Sequence, residues 1–384
     1  MDAVKFILIF YSHIPQMEVQ TPVRLPLKSQ AKINIFSNDH IAWLNYLYHS
    51  NDDKNAHESY PIEPPSNSTL QSLTVECQLG QGAQGDIYLV KSDKSQKYAL
   101  KACPKNKPLA SSKSTEVLNE AKILSKLDNP FVIKLFEQFE NENYKSFLIE
   151  FCQGGDLLYH MQRVLQQGQQ FSEPSTKFYI CCLILAIDHI HQQGFVYRDL
   201  KPENILLGEN GYPKICDFGL AISQSELNFK TCRKQCGTRE YFSPEIVKRD
   251  IYGKEVDWWS LGILTYELLF NETPFQDDNI FVANANIKTK EPSYSGRDDI
   301  SPEMIDFISQ LLSKDRNNRL GNNGIEDFIR HPWLDNVNWE DLEQKKYPCP
   351  FMIEGASSSE THFFLEEYTQ KSLDIQLVKE IIKT

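Results

Sequence analysis

The sequence predicts an α+β chain of two lobes, a small β-rich one followed by a larger helical one. Two observations carry this expectation. Between residues 73 and 152, short runs of β-favouring residues follow one another around a glycine turn. From Ser175 onward the apolar pattern turns mainly helical, and Pro130, Pro202, Pro244 and Pro274 punctuate the chain. A length of 384 residues suits one large domain or two ordinary ones. Two unlike lobes leave a cleft between them.

The elements follow in order. Val4 to Tyr11 is rich in apolar and β-favouring types and reads as a strand. Ala31 to Ser37 alternates, with Ile33 and Ile35 on one face. Asn38 or Asp39 is placed to cap a helix holding Ile41, Trp43, Leu44 and Leu47. A last strand followed by a helix with a central Trp resembles the end of a pleckstrin-homology domain, although residues 1–50 are too short for a whole one. The alternative is an irregular extension packed on the rest of the chain. Residues 51–72 read as a linker, with Pro61, Pro64, Pro65 and many Asn, Ser and Asp residues. Thr74 to Leu79 and Asp86 to Val90 are strands flanking the glycine turn, and Lys97 to Cys103 is a third. Glu116 to Leu127 is a helix with Val117, Ala121 and Leu124 on one stripe. Phe147 to Cys152 is a further strand.

Composition excludes several classes. A formal net charge of -12 disfavours nucleic acid as main partner, because phosphate backbones call for clustered Lys and Arg. It is compatible with recognition of basic peptides. Nine Cys with no CxxC spacing suggest neither a disulfide framework nor a zinc site, but free thiols in a reducing compartment. Nothing in the sequence favours a Cys232–Cys236 redox pair. The longest apolar runs, Phe6 to Tyr11 and Cys181 to Ile187, fall short of the roughly 20 residues of a membrane span. Asp2 stands where an N-myristoylation signal needs Gly. The expected location is cytoplasmic.

The chemistry lies in Tyr197-Arg198-Asp199-Leu200-Lys201-Pro202-Glu203-Asn204, followed by Asp217-Phe218-Gly219. Phosphoryl transfer from ATP needs a carboxylate beside the attacking hydroxyl and oxygen ligands for Mg²⁺. Asp199 suits the first task; Asn204 and Asp217 suit the second. Lys201 can neutralise the γ-phosphate in transfer, and Thr238 is expected to hydrogen-bond near both. Gly80-Gln81-Gly82-Ala83-Gln84-Gly85 lies between two strands. A dinucleotide fingerprint would instead open a helix. Missing side chains there let backbone amides approach phosphate oxygens. Lys101 sits on a half-buried strand and needs an acidic partner. Glu120 on the striped helix is the best candidate, and together they would hold the α- and β-phosphates. Structural roles fall to Glu245 and Arg319 as a buried ion pair, and to Asp257 as acceptor of backbone hydrogen bonds from the catalytic loop.

On these motifs residues 73–334 resemble a eukaryotic protein kinase, of the serine/threonine rather than the tyrosine type because of Lys201. Tyr197 in place of His, Cys236-Gly237-Thr238, Asp257-Trp258-Trp259, Arg319-Leu320-Gly321 and His331-Pro332-Trp333 resemble the AGC group. Residues 335–384 then correspond to its C-terminal tail, starting with Trp339, Leu342, Lys345, Lys346, Pro348, Pro350 and Phe351. The resemblance implies the two-lobed kinase fold, ATP and Mg²⁺ as cofactors, and protein substrates with basic residues before the phosphorylated Ser or Thr. The adenine edge would meet the Glu150 carbonyl and Cys152 amide, with Ile87, Ala99 and Leu206 about the ring. Asp156, also counted in the nucleotide site, matches with Glu203 and Glu267 the acidic positions that take upstream Arg. The implied enzyme is monomeric and touches membrane only through residues 1–50. A scaffold that binds nucleotide without phosphotransfer is the alternative.

Four departures modify this picture. Lys234 stands at the usual activation-loop phosphorylation position. A cation cannot replace a phosphate that pairs with Arg198, so either Thr231 takes over or the loop is ordered without phosphate. Ala83-Gln84 replaces Ser-Phe at the glycine-loop tip. Arg239 replaces Pro after Thr238. The tail runs out at Ile381-Ile382-Lys383-Thr384 rather than in Phe-x-x-Phe, so the groove beside the Glu120 helix is expected to be filled differently.

Overall fold

The computed structural model describes residues 73–82, 85–105, 120–227, 235–350 and 361–382. Expectations for residues 1–72, for Ala83, Gln84, Val117, Thr231, Cys232, Lys234 and Phe351, and for Lys383-Thr384 fall outside them.

The small lobe is a five-stranded antiparallel sheet in the order β1-β2-β3-β5-β4. Its strands are β1 (Thr74–Gln81), β2 (Asp86–Lys91), β3 (Lys97–Pro104), β4 (Leu135–Glu140) and β5 (Tyr144–Glu150). Alternation along β3 gives the sheet two distinct faces. Tyr98, Leu100 and Ala102 pack outward with Tyr88, Val90 and Leu148. Ala99 packs on the opposite, cleft face with Leu79 and Leu89, and Lys101 shares that face by register. Strand β4 is absent from the sequence expectations; its Glu137, Gln138 and Glu140 dilute the β pattern. Strand β5 starts three residues earlier than Phe147, because Asn141 builds the turn before it. The Asn141 Oδ1 accepts from Asn143 N at 3.0 Å and Tyr144 N at 2.7 Å. The strand ends at Glu150, opposite Tyr98 near the start of β3.

The helix holding Glu120 is described at residues 120–124. It stops short of the expected Leu127, because the next turn tightens through Lys126 N to Ile123 O and Leu127 N to Leu124 O.

The large lobe holds α1 (Leu157–Gln166), α2 (Glu173–Gln192), α3 (Pro244–Lys248), α4 (Glu255–Phe270), α5 (Ile280–Thr289), α6 (Pro302–Leu311), α7 (Ile325–Ile329) and α8 (Trp339–Glu343). Helix thus begins before Ser175, at Leu157, where the Asp156 carboxylate caps α1 by accepting from Tyr159 N at 2.8 Å. Two small ribbons carry the catalytic segments: β6 (Phe195–Val196) with β9 (Ile222–Ser223), and β7 (Ile205–Leu207) with β8 (Pro213–Ile215). Helices α2 and α4 are buried nearly all round and form the core of the lobe. The tail adds α9 (Glu366–Thr369) and α10 (Ile375–Ile382). Among the described residues no helix is long and apolar enough to cross a membrane.

One buried ion pair ties α3 to α4 and the segment after α6. Arg319, 1% exposed, donates to Glu245 at 2.7 and 3.1 Å and to the Glu255 carbonyl at 2.8 Å. Burial opposes ionisation of Glu245, but the guanidinium outweighs it and holds that carboxyl below its ordinary range. Removing one partner strands the other charge in the core. Arg319→Ala should therefore lower unfolding free energy by about 3–5 kcal/mol, measured as a fall in the urea midpoint with unchanged slope. A midpoint equal to wild type would show that the pair carries no net stability.

Candidate active site

The first half of the site belongs to the sheet. Register places Lys101 opposite Ile87 on β2 and Phe147 on β5. Its ammonium meets both Glu120 oxygens, at 2.8 and 2.6 Å, and the two side chains are 12% and 6% exposed. Burial by itself would lower the Lys101 pKa; Glu120 and then Asp217 outweigh it and raise it. The group is a fixed cation on the cleft face. Gly80 of β1 pairs opposite Ile87 of β2, Gly85 leads into β2, and the Gly82 amide donates to the Gly85 carbonyl at 2.8 Å. Ile87 and Ala99 fall in one apolar cluster with Leu79, Leu89, Ile149 and Phe151. Leu206 packs instead against the large-lobe core, which also contains Cys152. Glu150 uses its carboxylate on Lys214, at 2.9 Å. Asp156 is bridged to Leu206 and is occupied as the α1 cap.

The second half is the loop between β6 and β7. Its frame is Asp257, in the first turn of α4 and fully buried. That carboxylate accepts from Tyr197 N at 2.9 Å and Arg198 N at 2.7 Å, and lies 2.7 Å from His191 Nε2. Arg198 is held at φ 72 and Asp217 at φ 55, a region non-glycine residues avoid unless surroundings enforce it. The frame enforces it at Arg198. At Asp217, Oδ1 accepts from Gly219 N at 3.2 Å.

Asp199 is the meeting point. Its Oδ1 accepts from Thr238 N and Thr238 Oγ1, both at 3.1 Å. Its Oδ2 accepts from Asn204 Nδ2 at 2.9 Å and lies 3.3 Å from Lys201 Nζ. Lys201 also donates to Thr238 Oγ1 at 2.9 Å. Asn204 Nδ2 further donates to the Asp199 carbonyl at 2.8 Å. Its amide nitrogen is thus committed inward, which leaves its oxygen as the candidate ligand. With the Asp217 carboxylate it makes an oxygen donor set suited to a hard cation such as Mg²⁺, which keeps few protein ligands. Gly237 permits the approach of Thr238. It sits at φ +95, and a Cβ there would meet the Arg198 carbonyl at 2.5 Å.

Arg198 has no phosphate-like partner among the described residues. Its Nε donates to the Leu220 carbonyl at 2.8 Å, and its Nη1 to the Tyr252 hydroxyl at 3.2 Å. Beside Asp199 lies a run of carboxylates. Burial, then Asp156 and Asp199, push Glu203 up, against Lys201. Burial, then Glu203 and Glu240, push Glu267 up to about 7, against a hydrogen bond from Tyr241.

Sequence reasoning missed Phe364. It stacks on Phe151 at 5.8 Å between centroids and joins the Ile87–Ala99 cluster from the tail. Adjacent aromatics at 363 and 364 in a polar stretch were the available signal, but nothing local says where they land.

Residues 73–334 match the protein kinase domain. The chain is 36% identical over 301 residues to a probable serine/threonine-protein kinase of Dictyostelium discoideum, covering 77% of this chain and 64% of that protein. It is 36% identical over 299 residues to the cAMP-dependent protein kinase catalytic subunit of the same organism, covering 77% and 45%. With the serine/threonine-protein kinase YPK2/YKR2 of Saccharomyces cerevisiae it shares 34% identity over 351 residues, covering 91% and 50%. The chain thus spans about half to two thirds of the length of these relatives. Sheet, helical lobe, catalytic loop and these similarities agree: the chain belongs to the protein kinase domain family, and within it to the AGC group.

Proposed function

We propose that this chain transfers the γ-phosphate of ATP to Ser or Thr hydroxyls of proteins. The observation that carries the reading is the closed network around Asp199, with the Lys101–Glu120 pair formed beside it. Asp199 orients the substrate hydroxyl and takes its proton. Lys201 sits beside it to offset charge on the transferring phosphoryl group. Lys101 holds the α- and β-phosphates. Asn204 and Asp217 hold Mg²⁺, which when bound offsets phosphate charge. All parts of a transfer site are present, which disfavours a scaffold that only binds nucleotide. The eight cysteines among the described residues are free thiols, in keeping with action in the reducing cytosol. We take the enzyme as a monomer whose partners are protein substrates, with any lipid contact confined to residues 1–50.

Asp199→Ala and Lys101→Met should each reduce turnover on a basic peptide by about 10²–10⁴-fold, with the protein still folded by circular dichroism. Equal activity of wild type and Asp199→Ala would defeat phosphotransfer.

Substrates should carry Arg upstream of the target, because Glu203 feels the charge of Asp156 and Glu267 that of Glu203, with Lys201 alone offsetting it at Glu203. Glu267 ionises at about 7 in the free enzyme, and a guanidinium favours the ionised form. Affinity for an Arg peptide should therefore rise with pH through 7, with a proton released on binding below it. In the free protein the sign is opposite. The folded pKa lies above that of an unfolded Glu, so the stability from this group is full below the unfolded value and lost as pH rises through about 7. Calorimetry in two buffers of different ionisation heat reads the proton release. Binding with no proton linkage would sink the role of Glu267.

The residue after the target should not be preferentially large and apolar. Arg239, next to Thr238, is exposed, and Gln235 donates to the Ile246 carbonyl at 3.2 Å. Phe242 turns into the Val196, Ile246 and Tyr252 cluster. A peptide series varied only at this position should rank Asp and Glu at or above Leu and Phe, with the acidic preference lost in Arg239→Pro. Leu, Ile and Phe ranking clearly first would overturn it.

A further inference from the structure

Arg198 is held twice from the start of α4. Its backbone amide donates to Asp257, in the first turn of that helix, at 2.7 Å. Its guanidinium reaches Tyr252, in the turn between α3 and α4, where Nη1 donates to the hydroxyl at 3.2 Å. The same hydroxyl lies 3.5 Å from the Cys236 sulfur. Tyr252 and Cys236 are both buried, and a low local dielectric strengthens such bonds.

Chemistry gives this chain of contacts a direction. A guanidinium can only donate, so the Tyr252 oxygen accepts from Arg198, and the phenol proton is then available to the sulfur, a weak acceptor. Burial pushes the phenol pKa up, with Cys236 adding to the rise and Arg198 opposing it. The hydroxyl therefore keeps its proton at neutral pH.

Packing aims the oxygen. The Tyr252 ring lies in one cluster with Val196, Ile222, Ile246 and Val256, and Val196 pairs with Ile222 across the β6–β9 ribbon. The contacts made from this seat join separate stretches of chain. Arg198 belongs to the catalytic loop, and its Nε donates to the carbonyl of Leu220, just past Asp217-Phe218-Gly219, at 2.8 Å. Cys236 leads into Gly237 and Thr238, and Thr238 donates to Asp199 through N and Oγ1, both at 3.1 Å. A Cβ at Gly237 would meet the Arg198 carbonyl at 2.5 Å. The segment is thus in tight contact with the catalytic loop beside Cys236.

We infer that Tyr252 is a positioning residue for phosphotransfer: the relay from Arg198 through its hydroxyl to Cys236 closes the segment holding Thr238 onto Asp199 without a phosphate. The inference deepens the phosphotransfer reading and rests on it. Lys234, at the position considered above for a loop phosphate, cannot carry one. The relay gives the same guanidinium a neutral link to the segment that ends in Thr238. Tyr252 touches no reacting atom; it acts through Arg198 and Cys236.

Tyr252→Phe removes one oxygen and keeps the ring in its cluster. With a basic peptide, kcat should fall about tenfold, the scale of a lost hydrogen bond to a charged group, while the Kd of a fluorescent ATP analogue stays within about twofold. In an Arg198→Ala background the same substitution should change kcat by less than about twofold, because the relay is already cut. Equal losses in both backgrounds would assign Tyr252 to packing and overturn the relay. Wild type stripped by a phosphatase, with the absence of phosphate checked by mass spectrometry, should keep its kcat. Activity lost on stripping would show that a phosphate does the closing. If Tyr252→Phe does not fold, Cys236→Ser and Cys236→Ala decide. Ser keeps a partner for the hydroxyl and should retain kcat; Ala should not, and equal kcat in the two would sink the relay. Amide hydrogen exchange over residues 236–241 reads the relay without turnover, and in Tyr252→Phe it should quicken about tenfold. A wild type that binds the analogue but transfers no phosphate would defeat the phosphotransfer reading, and exchange alone would then decide the relay. Wild-type kcat and exchange in Tyr252→Phe, in a chain that does transfer phosphate, would overturn the relay and leave that reading standing.

Discussion

A carboxylate with no solvent contact organises this molecule. Asp257 is fully buried in the core helix α4, where an unpaired charge would be prohibitive. Its oxygens are satisfied by two backbone amides of the catalytic loop and by the His191 ring. The same bonds hold Arg198 in a strained conformation and thereby aim Asp199. The rigidity of the large-lobe core thus passes into the reactive loop through three hydrogen bonds. Gly237 and Thr238 then close on Asp199 from the other side.

The small lobe works by a different rule. A pleated sheet sorts its side chains strictly by parity, and both faces are used. The cleft face carries Lys101, Ile87 and Ala99, and Glu120 fixes the ammonium. The outer face, which would otherwise leave Tyr98 and Leu100 under solvent, receives α10. Both faces therefore depend on segments distant in sequence, the helix at 120 and the tail beyond 361. The position of the glycine turn is a property of that whole arrangement.

The acidic run Asp156, Glu203 and Glu267 sits on the large lobe near Asp199. Its members repel one another and are pushed upward by burial. A basic peptide, the substrate class proposed above, would relieve that repulsion. Net charge of -12 points the same way on the scale of the whole chain.

Much of the site was legible in the sequence because its groups lie in short runs with fixed local roles. Asp199, Lys201 and Asn204 share one loop, and Asp217 and Thr238 follow within the same stretch. Lys101 was legible because a lysine on a half-buried strand demands a partner. Strand β4 was not, since its polar residues mask the alternation and its place comes from pairing with β5. The starts of α1 and β5 depend on side-chain caps, at Asp156 and Asn141, that periodicity does not register. Phe364 and the Leu373, Leu377 and Ile381 stripe lie outside any local motif. By itself the sequence determined the two-lobe order, the chemistry of the catalytic loop and the pairing need of Lys101, because these follow from residue type and spacing. Only the tertiary structure decided which face of the sheet the tail covers and that it rests on Gly155. Those contacts join residues some two hundred or more positions apart, and nothing local specifies them.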